Sequence, residues 1–182
     1  MNKINTKKLV ILSMIVALSY VLSAVFNFPM FSSVPFIKYT PGDIILIIGG
    51  LIFGPFAAFL TTLAGAILHG ITVGQSGPIG TLMNILSTSI FVVTTSFVYT
   101  KFKSDKILIF ALTLGTIAVS LMVVPLNIIF IPLFTKMPRE TIYGMILTTI
   151  IPVNFIKAII SSVVAFAIFK PIKKIMKEKN YE

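Results

Sequence analysis

From Ile44 to Thr100 the chain runs for 57 residues without a single Lys, Arg, Asp or Glu. In an ordinary soluble domain about a quarter of residues are charged, so a stretch of this length cannot cover itself with polar surface. The rest of the chain agrees: of 182 residues, 57% are hydrophobic and 11% charged. The sequence therefore predicts an all-α integral membrane protein. One span takes about 20 residues. The charge-free stretch is too long for two spans and slightly short for three. It is broken at "FGP", Phe53 to Pro55, and at "GQSGPIG", Gly74 to Gly80, both turn-forming sequences. These breaks predict a short second helix at 43–53, a third at 55–72 and a fourth at 79–100. The charge-free run Leu9 to Phe26 predicts a first helix at 8–26. Further apolar runs predict a fifth at 107–131 and a sixth at 142–170. No repeat or low-complexity segment divides the chain, so residues 1–182 read as one membrane domain of six transmembrane helices.

The basic residues orient this bundle. Lys3, Lys7 and Lys8 precede the first helix. Lys101, Lys103 and Lys106 join the fourth to the fifth, and Lys170, Lys173, Lys174, Lys177 and Lys179 follow the sixth. With six crossings all eleven fall on one side, against Lys38, Lys136 and Arg139 on the other. The positive-inside rule makes that side, and both termini, cytoplasmic. The net charge of +10 is thus a topology signal with some attraction for anionic lipid, and nucleic acid is not an expected partner. The first apolar run is longer than the core of a signal peptide and is followed by further spans, so it reads as a membrane helix.

The remaining basic residue, Lys157, lies in "IPVNFIKAIISSVVAF", three residues after Asn154. At about 1.5 Å per residue, Lys157 stands about 20 Å above Lys170 and Asn154 about 24 Å. Asn127 stands about 32 Å above Lys106, and Asn84 about 26 Å above Lys101. Asp43 heads the second helix, and His69 is near the outer end of the third. All six lie in the outer half of a core about 30 Å thick, which predicts a site that opens outward. Simpler readings exist for several of them. Asn84 could bond a neighbouring helix, Asp43 could cap the second helix, and His69 could be an interfacial packing residue. An intramembrane lysine facing the bundle is by default functional, and Asn154, Lys157 and Ser161 share one helix face. Lys157 is expected to be satisfied by ligand or by pocket water.

The outer segment "NFPMFSSVPFIKYTPGD", Asn27 to Asp43, has three prolines, three phenylalanines and Tyr39. Such a stiff aromatic loop is expected to act as a lid over a flat apolar ligand, unless it simply lies among headgroups. On the first helix, Ser13-x-x-x-Ala17 and Ser19-x-x-x-Ser23 are spacings that let membrane helices approach closely. They serve either packing within the bundle or docking of a partner. No phosphate-binding GxxxxGK[ST] motif occurs. The five acids, Asp43, Asp105, Glu140, Glu178 and Glu182, are scattered. The single histidine and the absence of cysteine leave no multi-ligand metal site. The expectation is a binding protein without enzymatic activity, metal or cofactor that takes its energy from a partner. A passive channel or assembly scaffold is the alternative.

Four stretches carry a family resemblance: "YTPGDIILIIGGLIFGPFAAFL", "GPIGTLMNILSTSIFV", "VVPLNIIFIPLF" and "IPVNFIKAIISSVV". In order and spacing the chain resembles the substrate-binding S components of energy-coupling factor (ECF) vitamin transporters, and among them the riboflavin-specific ones. The resemblance implies the S-component fold, riboflavin as transported ligand, and a complex with a transmembrane coupling subunit and two ATPase subunits in the bacterial cell membrane. It implies that Asn127, Asn154 and Lys157 contact the ligand and that Ser13 and Ala17 dock on the coupling subunit; Asn84, Asp43 and His69, by their depth, and Tyr39, by its place in the aromatic loop, are further ligand-binding candidates. The chemistry is compatible: an Asn amide matches the alternating donor and acceptors of the isoalloxazine pyrimidine edge. A uracil-like edge is not unique to flavin, so another vitamin, such as pantothenate or a thiamine precursor, stays open.

Overall fold

The computed structural model of the chain describes residues 6–30, 38–73, 77–135 and 138–178. Helix α1 (Thr6–Val25) leads into a two-stranded antiparallel ribbon, β1 (Phe28–Pro29) with β2 (Lys38–Tyr39). The centre of the proposed lid, 31–37, lies outside the described residues. Then follow α2 (Gly42–Phe53), α3 (Pro55–Thr72), α4 (Gly77–Phe102) and α5 (Asp105–Thr135). The chain ends in one helical run made of α6 (Arg139–Met145), a π turn (Ile146–Ile150) and α7 (Ile151–Glu178). Among the described residues, five helical runs are long and apolar enough to cross a membrane, and α2 is apolar but shorter. The all-α, six-helix architecture expected from the sequence is the one found.

Two ends differ from the sequence reading. The last helix continues past Lys170, and α5 past Ile131. For the last helix, hydropathy marks where the bilayer stops, whereas backbone hydrogen bonding continues through good helix formers such as Lys into water; α5 continues through Pro132 and Leu133, which lack charge. The π turn was not foreseen. Pro152 has no N–H and its ring crowds the carbonyl four residues back. Just before it the ladder widens: the Ile151 N–H bonds the Ile146 carbonyl, five residues back.

Short connections set the order. Gly54, at φ +91°, holds a left-handed conformation that a Cβ would oppose, and Pro55 starts α3 at the position where its missing N–H is harmless. Lys103 ends α4 at φ +49°, with its N–H on the Tyr99 carbonyl at 2.9 Å. The Lys173 Nζ donates to the Lys103 carbonyl at 3.0 Å and to Asp105 Oδ1 at 2.8 Å, tying this turn to α7. Lys8 lies 5.9 Å over the Phe53 ring, so α1 begins where α2 ends. This end of the bundle holds most of the lysines and is called the basic end. At the opposite end Asn27 of the α1–β1 junction meets His69 of α3, Nδ2 to Nε2 3.5 Å.

Helix α2 is the most enclosed element, with nine of its twelve residues buried. It packs on α1, α3, α4 and α7, and small residues make this possible. A Cβ on Gly42 would land on the Ser23 hydroxyl and the Ser19 carbonyl of α1. One on Gly50 would meet the Ser96 hydroxyl of α4 and the Ala58 Cβ at 2.8 Å. Ser19 and Ser23 are buried, so this small pair is spent on internal packing. Several hydroxyls elsewhere bond the carbonyl one turn back, such as Ser96 on Val92 at 2.6 Å and Ser120 on Thr116 at 2.7 Å, which lets apolar helices carry them. Gly50→Ala is expected to destabilise the protein by about 1–3 kcal/mol through overpacking. Gly144→Ala, where nothing lies within 4 Å, should be neutral or gain up to about 1 kcal/mol in helix propensity. Thermal unfolding in detergent checks the contrast; equal effects at both positions would contradict the packing.

Candidate functional site

Asp43 is the second residue of α2 and is buried, 8% exposed. The glycine before it lets α2 press against α1, and this fixes where the carboxylate emerges. Pro41, not Asp43, occupies the capping position, and no side chain caps the helix. The capping role considered for Asp43 is therefore replaced by another: its Oδ2 lies 3.2 Å from Lys157 Nζ of α7. An anion in the first turn also suits the helix dipole. Lys157 was expected to rely on ligand or water; its partner is the carboxylate of α2. In a medium without bulk water, an unpartnered charge is far more costly than a pair.

Asn154 stands one turn before Lys157. Its Nδ2 donates to the Ile150 carbonyl at 2.8 Å, in the segment whose ladder the π turn has shifted. Its Oδ1 remains an acceptor. Ser161, one turn beyond Lys157, is buried with no hydrogen-bond partner for its hydroxyl. From α4, Asn84 Oδ1 accepts from Thr88 Oγ1 at 3.3 Å. Two clefts form around these groups. The first, about 30 Å³, is lined by Asp43, Asn154, Lys157 and Ser161 with Ser87 and Thr88 of α4, and by Phe91, Val119 and Ala158. The second, about 20 Å³, holds Asp43, Asn84, Thr88 and His69 against Ser19, Ser23, Thr40, Thr62 and apolar neighbours. Asp43 and Thr88 line both and stand between them. Each cleft is of a size for water.

The candidate residues thus separate. Asp43, Asn154 and Lys157 converge on one cleft; Asp43, Asn84 and His69 on the other. Asn127 lines neither. It is fully buried on α5, its Nδ2 donating to the Val123 carbonyl at 2.6 Å and its Oδ1 without a partner. Tyr39 lines neither; it is buried on β2, with its ring 5.9 Å from that of Phe28. Ser13 and Ala17 are exposed on the outer face of α1, unlike Ser19 and Ser23. Thr88 and Ser87 were not singled out from the sequence. The signal for Thr88 was its place four residues after Asn84, on the same helix face.

The description "ECF transporter, substrate-specific component" matches residues 7–169. The chain belongs to the ECF transporter substrate-specific components. Among relatives of this S component, the riboflavin transporter FmnP of Bacillus subtilis (strain 168) is 30% identical over 176 residues, covering 92% of each chain. The riboflavin transporter RibU of Streptococcus thermophilus is 29% identical over 182 residues, covering 94% of this chain and 85% of that one. A solved S component of a bacterial ECF transporter superposes with a TM-score of 0.80 at 26% identity, over 96% of this chain and 99% of the other. A biotin S component has the same fold, with a TM-score of 0.61 at 19% identity, over 93% and 94%.

In this S component the ion pair should behave as a unit. Asp43→Asn and Lys157→Met are each expected to cost about 3 kcal/mol, because each leaves one buried charge alone. The double variant should be closer to wild type than either single one. Thermal unfolding of the four proteins measures the coupling; simple additivity would show that the two charges do not depend on each other.

Proposed function

We propose that this S component binds riboflavin on the outer side of a bacterial cell membrane and passes it to an ATP-driven coupling module, without catalysing a reaction itself. The observation that carries this reading is that the riboflavin transporters among its relatives match over most of their length and of this chain. The site chemistry supports it. With Asp43 against Lys157 the first cleft carries both charges of a pair, so it favours an uncharged polar ligand over an anion or cation. Around the pair, Asn154, Thr88 and Ser161 offer neutral donors and acceptors, and Phe91 and Val119 an apolar wall. Such a lining suits the polar edge of an aromatic molecule, and a flavin would have to widen this water-sized cleft to enter it. Asn127 Oδ1, buried and without a partner, is a further acceptor for a ligand N–H. The lysine-rich end is assigned to the cytoplasm, so Asp43 and Asn154 face outward.

Protein purified from cells grown with riboflavin should carry flavin absorption at about one flavin per chain; colourless protein that binds no added riboflavin would sink the assignment. Asn154→Leu should weaken riboflavin binding by about 1–3 kcal/mol, since a ligand group loses its partner. Fluorescence quenching titration reads this loss, and an unchanged affinity would make Asn154 purely structural.

The exposed Ser13 and Ala17 are proposed as the surface that docks on the coupling subunit. Ala17→Trp should abolish co-purification with that subunit and ATP-driven uptake, while riboflavin affinity stays within about twofold, roughly 0.4 kcal/mol. Equal loss of binding and of uptake would remove the docking role.

A further inference from the structure

Between α5 and α7, on the outside of the bundle, runs a groove of about 490 Å³ that shares no residue with the two clefts. Its rims are Ile109 and Ile117 on α5 and Phe155, Ile159 and Val163 on α7, all exposed. Its floor contains Leu112, Thr116 and Ser162. The floor hydroxyls are already used: Thr116 and Ser162 bond each other at 3.0 Å, and Thr113 donates to the Ile109 carbonyl at 3.0 Å. The groove therefore presents hydrocarbon along its length and seeks no polar partner.

Its dimensions and its mouth point to one class of occupant. From Ile109 to Ile117 the groove follows α5 for about 12 Å, and from Phe155 to Phe166 it follows α7 for about 16 Å, at about 1.5 Å per residue. Half of a hydrocarbon core is about 15 Å, so the groove is as deep as one leaflet. It opens at the basic end. Lys106 stands one turn before Ile109, and Lys170 holds its Nζ 5.5 Å over the ring of Phe166, which lines the groove. Both lysines are exposed, and among the described residues neither has an ion-pair partner. Nearby Asp105 is held by Lys173 at 2.8 Å. We propose that this groove is a binding site for an anionic phospholipid of the leaflet at the basic end, with one acyl chain lying between α5 and α7 and the phosphate between Lys106 and Lys170.

The test uses the full chain in detergent, titrated with phosphatidylglycerol or phosphatidylcholine, with bound lipid counted by native mass spectrometry. Phosphatidylglycerol should bind about tenfold more tightly, since each lysine near a headgroup contributes modestly. The double variant Lys106→Gln with Lys170→Gln changes only exposed side chains and should lose that preference. Ile159→Trp, and independently Val163→Trp, should fill the groove and remove the retained lipid, with helical content by circular dichroism unchanged. The proposal is overturned if wild type does not distinguish the two lipids, or if the Gln variant keeps the preference. It is equally overturned if both Trp variants keep the lipid, or if glycerol phosphate without acyl chains displaces it as well as the intact lipid does. Loss of coupling-subunit co-purification in the Trp variants, with lipid retained, would make the groove a protein interface instead.

Discussion

The ion pair between Asp43 and Lys157 joins the first turn of α2 to the second turn of α7 across 114 positions of sequence. Neither partner can be placed in a membrane bundle alone at modest cost, so the two helices must meet at this point. The rest of the site follows from that requirement. Once Lys157 is fixed, Asn154 and Ser161 lie one turn to either side of it on the same face. Once Asp43 is fixed, the space around it divides into one cleft toward α7 and another toward α1 and α3, with Thr88 of α4 between them.

That meeting depends on how closely α2 can be surrounded. Twelve residues give α2 about 18 Å of length, less than a full span. It has contacts on α1, α3, α4 and α7. Gly42 and Gly50 supply the missing volume, one against Ser19 and Ser23, the other against Ser96 and Ala58. Membrane helices gain little from hydrophobicity when they associate, so close contact of small surfaces does the work. The same serines that look like a docking pattern in α1 are consumed in this way, which leaves Ser13 and Ala17 as the small residues on its outer face.

What the sequence discloses and what it conceals have a physical division. Charge-free length, turn residues and lysine placement reflect the bilayer, a uniform solvent, and so the helices and their breaks were legible. Asn154 and Lys157 were legible as a pair because three residues place them on one helix face. The partner of Lys157 was harder to see, though a clue existed: Asp43 is the only charge between Lys38 and Lys101, and Lys157 the only one between Glu140 and Lys170. The π turn before Pro152 was missed because the apolar run from Ile142 reads as one continuous span, although a proline about three turns into a helix disturbs its hydrogen-bond ladder. Asn127 was grouped with the site on its depth and on the family resemblance, and Tyr39 on its loop position. Depth does not determine which way a side chain turns, and both settle outside the two clefts.

The buried polar atoms without partners locate where the bundle can still form bonds. Many Ser and Thr side chains here turn back to their own helix, such as Ser96, Thr113 and Ser120, a choice always open to them in a membrane. Ser161 of the first cleft and Thr62 of the second do not. Asn127 spends its amide N–H on Val123 and keeps its oxygen unpartnered. A buried polar atom left without a bond costs about 1–3 kcal/mol, so the free energy recovered by pairing is concentrated at these places. A ligand that reaches Ser161 and Asn154 can recover it without separating Asp43 from Lys157. A ligand that needed either charge for itself would first have to break the pair. The pair therefore acts on selectivity as well as on folding: it holds α2 to α7 and biases the first cleft toward ligands that form bonds around it.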